Sequence, residues 1–199
     1  DGSKFGKTAE GTSVWLSPAR TSPYRFYQYW FNTDDADVVT YLKYFTWLSQ
    51  PEIAELSNLV IEQPERREAQ RRLAREVTRM VHGETGLARA EAASQALFGG
   101  DVTGLDAADI EDIFAEVPSS EVGREALADG GVAVVDLLVS SGLASSKADA
   151  RRKIQGGGIY LNSERVADAA QTVAAPQAIH GRFLLLRQGK RQYHLVRVK

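Results

Sequence analysis

The 199-residue chain has no cysteine and three histidines, which excludes disulfide bonds, thiolate metal sites and a cysteine nucleophile and argues against any metal site. No apolar run approaches the roughly 20 residues that cross a membrane, and no segment has the pattern of a signal peptide. Residues 1–131 hold 13 Lys and Arg against 22 Asp and Glu (net −9), whereas residues 132–199 hold 11 against 4 (net +7), so the charge predicts two domains and a polyanionic partner for the second.

The first segment, residues 1–19, is irregular in pattern but contains Lys4-Phe5-Gly6-Lys7-Thr8. Two cations, a glycine and a hydroxyl are typical of phosphate-binding loops. Gly2 and Gly6 enclose three residues, one fewer than the P-loop motif requires, and no apolar strand precedes them. The sequence therefore argues against a P-loop and leaves a polar terminus as the simplest alternative.

Residues 20–116 have the pattern of an all-α domain. Ser22-Pro23 indicates the start of an aromatic-rich helix, and the capping box Ser49–Glu52 indicates the start of another. A further helix is predicted from Pro64 to about Val81, with His82-Gly83 as its end. Apolar spacing predicts the remaining helices near residues 38–48, 86–98 and 106–115.

Two features of this helical region have a favoured structural role. Asp34 and Asp35 are placed to cap the following helix. The second feature is a stripe of cations at i,i+4 spacing, for which an ion-paired surface is favoured over an RNA groove because glutamates are interspersed. The stripe consists of Arg67, Arg71, Arg75 and Arg79.

Residues 117–131 contain Pro, Ser and Gly without apolar periodicity, and we predict a flexible linker there. Residues 132–199 then predict a small α+β domain: two short helices, the second opened by Ser146–Asp149, followed by hairpins of a small antiparallel sheet. The chain as a whole is therefore predicted to be mainly α followed by α+β.

The second domain concentrates residues suited to binding phosphates. Lys147 and Arg151 are four residues apart and share one helix face, while Ala150 and Ile154 can point inward. Folded together, the cations and the serine hydroxyl are predicted to form one RNA-binding surface. The predicted set is Ser146, Lys147, Arg151, Arg152, Arg165, Arg187, Lys190 and Arg191.

Residues 132–199 resemble the S-four RNA-binding domain, a module named for a small-subunit ribosomal protein. The matching residues are a leading apolar helix, Gly142-Leu143, Ser146-Lys147, Ala150-Arg151, Ile154, Gly158 and Ile159-Tyr160-Leu161-Asn162. The resemblance implies a helix pair that lies on structured RNA, with a small sheet behind it.

The opening segment resembles the mobile KMSKS loop of class I aminoacyl-tRNA synthetases, in the variant of bacterial tyrosyl-tRNA synthetases. Both lysines are in place, while Phe5, Gly6 and Thr8 depart from KMSKS. The chain that follows resembles the same family over nearly all 199 residues. The matching segments include Val14-Trp15-Leu16, Thr21-Ser22-Pro23-Tyr24, Phe26-Tyr27-Gln28, Trp30, Asn32-Thr33-Asp34-Asp35, Leu42-Lys43-Tyr44-Phe45-Thr46, Ala69-Gln70, Leu73-Ala74, Glu76-Val77-Thr78 and Val81-His82-Gly83.

This resemblance implies the C-terminal half of a cytoplasmic tyrosine–tRNA ligase, with an α-helical anticodon-binding domain at 20–116 and an S-four domain at 132–199. Lys4 and Lys7 would be catalytic, on the pyrophosphate side of ATP, and Lys4, Gly6, Lys7 and Thr8 would bind ATP with its Mg²⁺. Asp34 and Asp35 would lie near the anticodon of tyrosine tRNA. The family's nucleotide-binding half and dimer interface precede the loop. We therefore expect this chain alone to be monomeric, without a tightly bound cofactor, and unable to activate tyrosine.

A function from another class also fits the C-terminal domain. A stand-alone S-four-type protein, associated with the ribosome and without catalysis, would carry the same cationic helix and the same sheet. The coding sequence upstream of Asp1 discriminates the two hypotheses, because only the synthetase requires a nucleotide-binding fold there.

Overall fold

The computed structural model describes residue 6 and residues 13–97, 99–128, 130–190 and 192–199. The chain forms two compact units, unit 1 (Asp1–Ser94) and unit 2 (Gln95–Lys199). Among the described residues, no helix has the length and apolarity needed to cross a membrane.

Unit 1 is helical where the sequence predicts helices. Ser22 caps the first helix by accepting a hydrogen bond from the Arg25 backbone N–H, and the capping box of Ser49 and Glu52 is present at the third. Both predicted starts are confirmed. The helices are α1 (Pro23–Phe31), α2 (Asp35–Phe45), α3 (Gln50–Glu62), a 3₁₀ turn (Pro64–Arg66) and α4 (Glu68–Ala96), whose last two residues lie in unit 2.

The long helix α4 differs from the prediction in two places, at its start and at the predicted end near Gly83. It begins at Glu68 rather than Pro64, because Arg67 adopts left-handed backbone angles (φ 51°, ψ 38°) after the 3₁₀ turn. It continues beyond the predicted end at His82-Gly83 as a second helical segment. Gly83 (φ 71°, ψ −179°) makes the kink between the two segments, a conformation that glycine adopts without a Cβ penalty.

The core of unit 1 lies among α1, α2, α3 and both segments of α4. Side chains at helical spacing on each element meet there, as expected for amphipathic helices. The buried members include Phe26, Trp30, Val38, Leu42, Ile53, Leu73, Val77 and Leu87. Aromatic residues of α1 therefore serve mainly as core, with Phe26 and Trp30 in edge-to-face contact.

Unit 2 is an α+β fold, as predicted. Its elements are α5 (Ala107–Ile113), β1 (Ser119–Val122), α6 (Arg124–Ala128), β2 (Val132–Ala133), α7 (Val134–Ser140), α8 (Lys147–Gln155), β3 (Ile159–Leu161), β4 (Glu164–Arg165), β5 (Thr172–Val173), β6 (Phe183–Gln188) and β7 (Gln192–Val198). The five-stranded sheet runs in the order β1-β7-β6-β3-β4, with β1 parallel to β7 and the other neighbours antiparallel, and β2 pairs with β5 separately.

The two faces of this sheet are covered differently. Leu184, Leu186 and Val196 share a buried cluster with Ile154 of α8 and with α7. Side chains alternate along a strand, so Phe183, Leu185 and Tyr193 point to the opposite face. Phe114, next to α5, lies against Tyr193 there, with ring centroids 5.5 Å apart.

The structure differs from the predicted linker at residues 117–131. Residues 119–122 form β1 and pair with β7, which makes the sheet mixed rather than antiparallel. Leu127 on α6 is 1% exposed and belongs to the same cluster as α7 and α8. An edge strand held by backbone hydrogen bonds needs no apolar alternation, so the Ser-rich and Glu-containing segment has no hydrophobic signature.

A pair of glycines in this segment provides a direct test of its packing. Gly130 and Gly131 have nearly the same positive φ (82° and 81°), but a Cβ at Gly131 would lie 2.6 Å from the Val173 carbonyl oxygen, whereas Gly130 faces open space. We expect Gly130→Ala to cost about 1–2 kcal/mol through backbone strain and Gly131→Ala to cost about 3 kcal/mol or more. Urea unfolding followed by circular dichroism measures both; equal costs would contradict the close approach of β5.

Candidate nucleic-acid interface

Helix α8 presents cations on one side and packs on the other. Ser146 caps it by accepting a hydrogen bond from the Asp149 backbone N–H at 3.2 Å. Ala150 and Ile154 are buried against the unit 2 core. The helical period therefore leaves Lys147 and Arg151 exposed on the outer face, as predicted.

The cations of α8 are not equivalent. Lys147 forms an ion pair with Asp136 of α7 (2.7 Å), and Arg152 forms one with Asp149 (2.7 Å). Arg151 has no ion-pair or hydrogen-bond partner within the part of the chain that the structure describes. The Lys147 and Arg152 side chains are themselves 60% and 79% exposed, so a phosphate can compete with Asp136 and Asp149 for them.

Lys153 is the cation that the fold itself uses. Its Nζ donates to the Leu143 carbonyl (2.6 Å) and to Gln188 Oε1 (3.3 Å), and lies 3.3 Å from Asp149. Asp149 in turn accepts from the Ser145 backbone N–H at 3.1 Å. The hydrogen bond from Arg152, with that of Ser145 and the contact with Lys153, holds the pKa of the Asp149 carboxyl well below its ordinary value. Lys153 thus ties α8 to the preceding turn and to β6.

Arg165 and Arg187 lie on the sheet face opposite to α8. Both pair across their strands with Tyr160, which alternates with residues buried under α8. The Arg187 guanidinium carbon lies 3.7 Å from the Tyr160 ring centroid, and Nη1 donates to the Gly189 carbonyl. The Arg165 guanidinium occupies space beside Gly157 that a Cβ there would fill.

The structure therefore does not bring all the predicted cations onto one face of the sheet. Ser146, Lys147, Arg151 and Arg152 lie together on α8, whereas Arg165 and Arg187 belong to the other face because side chains alternate along a strand. Lys190 is exposed in the β6–β7 turn. Arg191 lies outside the described residues.

Arg187 also contributes to a cluster that holds the end of α4 within unit 2. A Cβ on Gly99 would lie 3.5 Å from the Arg187 guanidinium carbon, Ser163 Oγ donates to the Gly100 carbonyl (2.8 Å), and Tyr193 Oη donates to the Ala96 carbonyl (3.0 Å). Sequence analysis missed this role, since a lone arginine on a strand gives no signal of what lies across from it.

The KMSKS-like segment is described at one position. The Gly6 backbone N–H donates to Tyr29 Oη of α1 (3.1 Å), and its carbonyl accepts from the Val14 N–H (2.9 Å). The predicted ATP-side residues Lys4, Lys7 and Thr8 lie outside the described residues.

Asp34 and Asp35 begin α2. Asp34 occupies the N-cap position, but its carboxylate makes no capping hydrogen bond, and it is exposed. Asp35 Oδ1 accepts from Gln70 Nε2 at 2.5 Å. The favoured capping role is therefore wrong for the Asp34 side chain, whose carboxylate faces solvent.

The arginine stripe of α4 is an ion-paired surface. Arg71 pairs with Glu68 (3.7 Å), Arg75 with Glu91 (3.3 Å), and Arg79 with both Glu76 (3.0 Å) and Glu84 (2.6 Å). Arg67 differs, because it donates to backbone carbonyls of the α1–α2 loop. The favoured interpretation of an ion-paired surface is confirmed for the other three.

Two family models match the chain. Residues 1–99 match "tRNA synthetases class I (W and Y)", and residues 109–196 match "Tyrosine--tRNA ligase SYY-like C-terminal domain". The first match contains the KMSKS-like segment and unit 1, and the second contains α8 and all of the sheet except the end of β7.

Curated relatives match along the whole chain. The tyrosine–tRNA ligase of Roseiflexus castenholzii is 58% identical over 198 residues, covering 100% of this chain and 46% of that protein. Those of Geobacillus stearothermophilus (50% identical, 99% and 46% covered) and Ligilactobacillus salivarius (49%, 100% and 46%) are also similar. The chain spans about half the length of these relatives. Given both matches and these identities, the chain belongs to the tyrosine–tRNA ligase family and corresponds to its C-terminal part.

Proposed function

We propose that this chain is the tRNA-binding part of a tyrosine–tRNA ligase, a class I aminoacyl-tRNA synthetase of protein synthesis. The whole protein would condense tyrosine with ATP to tyrosyl-adenylate and pyrophosphate, and then transfer the tyrosyl group to the 3′-terminal adenosine of its tRNA. The names of the relatives and the order of the two family models support this function.

The outer face of α8 carries the RNA-binding part of the proposal. Arg151 is exposed and without a partner among the described residues, and the exposed cations Lys147 and Arg152 each form one ion pair. Guanidinium and ammonium groups on one helix face neutralise neighbouring phosphates and release counterions. Ser146 Oγ accepts the capping bond and keeps its own hydroxyl proton for a phosphate oxygen.

The remaining predicted contacts would bind RNA from other sides of unit 2. Lys190 lies in the β6–β7 turn, at the end of the sheet where Gln188 meets Lys153 of α8, and Arg191 follows it in the sequence. Arg165 and Arg187 would reach phosphates only from the face that carries Tyr160. We assign them weaker contributions, since Arg187 already stacks on that ring.

Unit 1 would contact the anticodon through the α1–α2 loop. Asp34 presents an exposed carboxylate that caps no helix, and a carboxylate accepts hydrogen bonds from base N–H groups. Asp35 is assigned a lesser role, because Gln70 already occupies one of its oxygens.

The catalytic contribution would come from the KMSKS-like loop of the whole protein. Lys4 and Lys7 would stabilise the charge that develops on the leaving pyrophosphate of ATP, with Gly6 and Thr8 close to the phosphates. Among the described residues, no group of His, Asp and Glu side chains could hold a metal ion, so the Mg²⁺ that accompanies ATP is assigned no ligand here. A cytoplasmic homodimer, joined through residues outside this chain, completes the proposal.

Binding to a panel of purified tRNA transcripts tests this function. We expect the chain to bind tyrosine tRNA, which in this family has a long variable arm, at least tenfold more tightly than tRNAs with short variable arms. Affinity should fall steeply with salt, because phosphate contacts release counterions. Fluorescence anisotropy at several salt concentrations measures both.

The outcome also separates the rival function. Equal, salt-dependent affinity for every tRNA would favour the stand-alone RNA-binding protein, and absence of binding would overturn both. The rival offers no account of why residues 1–99 match a class I synthetase model.

A further inference from the structure

The α1–α2 loop is held from outside by the start of α4. α1 ends at Phe31 and α2 begins at Asp35. Arg67 Nη2 donates to the Phe31 carbonyl (2.8 Å) and to the Thr33 carbonyl (3.0 Å). One guanidinium therefore satisfies the carbonyl of the last α1 residue, which helix formation leaves without a partner, and a carbonyl inside the loop.

Two further contacts fix the same loop. The Arg67 guanidinium carbon lies 5.5 Å from the Phe31 ring centroid, a cation–π contact. Gln70 is 1% exposed, and its Nε2 donates to Asp35 Oδ1 (2.5 Å) and lies 3.4 Å from the Thr33 carbonyl. We name Arg67 and Gln70 the loop clamp.

The backbone at Arg67 is arranged for this contact at a cost. Arg67 has left-handed angles (φ 51°, ψ 38°), which cost an L-residue with a Cβ about 1–2 kcal/mol. Glycine would adopt the same angles freely but would supply no guanidinium. The chain thus tolerates strain at the residue whose side chain reaches the α1–α2 loop, a combination that points to function rather than packing alone.

The clamped loop displays polar groups that the helices do not use. Asn32 and Asp34 are exposed, and the Asp34 carboxylate makes no cap bond to α2. The Asp34 backbone carbonyl accepts the first hydrogen bonds of α2, whereas its carboxylate has no hydrogen-bond or ion-pair partner in the described part of the chain. The clamp holds the residues on both sides of Asp34, so the carboxylate loses less freedom when it meets a donor than it would on a mobile loop, and it discriminates between bases better.

We propose that Arg67 and Gln70 are positioning residues, which hold the α1–α2 loop so that Asp34 distinguishes anticodon bases. The inference rests on the proposed function, since it requires that unit 1 contacts the anticodon. It adds that base preference depends on two residues that need touch no RNA.

The test compares base preference rather than affinity alone. The probes are a tyrosine tRNA transcript and three transcripts with one anticodon base changed in each. The variants are Arg67→Met, which keeps the stem and removes the donors, and Arg67→Lys, which keeps the charge. Arg66→Met is the matched control, because it removes one charge from an exposed neighbour in the adjacent 3₁₀ turn.

We expect the wild-type chain to prefer the unchanged anticodon, and Arg67→Met to reduce that preference at least tenfold without weakening binding to the changed transcripts beyond Arg66→Met. Arg67→Lys should recover part of the preference. Tryptophan fluorescence verifies folding, since all three tryptophans lie in unit 1; if Arg67→Met does not fold, Arg67→Lys decides.

The other possible results contradict either the positioning role, the whole inference or the proposed function. Full preference in Arg67→Met, or in Arg67→Lys when that variant decides, overturns the positioning role, as does an equal loss of affinity for all four transcripts. A wild-type chain that binds tyrosine tRNA without any anticodon preference overturns this inference and leaves tRNA binding intact. A wild-type chain that binds none of the transcripts overturns the proposed function itself.

Discussion

Replacing Leu127 with Ala is expected to lower the free energy of unfolding of unit 2 by about 2–5 kcal/mol. Leu127 is 1% exposed and lies in the cluster that contains α7, α8 and the inner face of the sheet. Its truncation would leave a cavity inside unit 2, although the residue belongs to a segment with the composition of a linker. Urea unfolding followed by far-ultraviolet circular dichroism measures the change.

The chain supplies both a control and an internal reference for this measurement. Glu125→Ala changes an exposed residue of the same short helix and should alter the free energy of unfolding by no more than about 0.5 kcal/mol. Trp15, Trp30 and Trp47 all lie in unit 1, so tryptophan fluorescence should show an unchanged transition. If Leu127→Ala behaves like Glu125→Ala, residues 117–131 are a linker after all.

Replacing Lys147 and Arg151 together with Ala is expected to weaken tRNA binding about 50-fold at 0.1 M salt. The slope of log affinity against log salt should become shallower by about two. Two phosphates would lose the cations that neutralise them, and each such contact contributes nearly one unit to the slope of log affinity against log salt. Titrations from 0.05 to 0.3 M salt measure both quantities.

A second double variant removes the same charge from a surface that we consider uninvolved. Arg71→Ala with Arg79→Ala deletes two cations that pair with glutamates of unit 1. It should change the salt slope by less than half a unit, because Glu68, Glu76 and Glu84 lie beside these two cations and would repel a phosphate. Equal changes in the two double variants would mean that total charge, and not the outer face of α8, attracts the RNA.

The elements that sequence analysis predicted correctly are those with a strong local signal. Ser22-Pro23 and the box of Ser49 and Glu52 start helices through hydrogen bonds within three residues, so the sequence alone contains the cause. The sequence predicts α8 equally well, because Ala150 and Ile154 alternate with cations at the helical period. The fold class and the outer face of α8 followed from such short-range patterns.

The elements that it missed depend on partners distant in the chain. β1 is a strand because β7, more than 70 residues later, pairs with it. The four residues of β1 have no pattern that predicts this pairing. The same holds for Arg187, whose neighbours Tyr160 and Gly99 come from separate segments. The loop clamp has no sequence signal for the same reason. The i,i+4 spacing predicts that Arg67 belongs to the arginine stripe, whereas its left-handed backbone and its contacts with the α1–α2 loop separate it from the stripe.

Unit 2 as the structure defines it has a different net charge from residues 132–199 alone, and this difference affects how RNA would approach it. Because unit 2 begins at Gln95, its 12 Lys and Arg are balanced by 13 Asp and Glu, for a net charge of 12 − 13 = −1. Beyond about 8 Å in physiological salt, where individual charges are screened, a polyanion meets a nearly neutral body. Attraction then arises only at close range, where the positive charge on the outer face of α8 acts more strongly on the RNA than the negative charge of the acidic segment that precedes α7. Long-range steering is weak under these conditions, so the encounter rate depends little on charge and the orientation is selected after first contact.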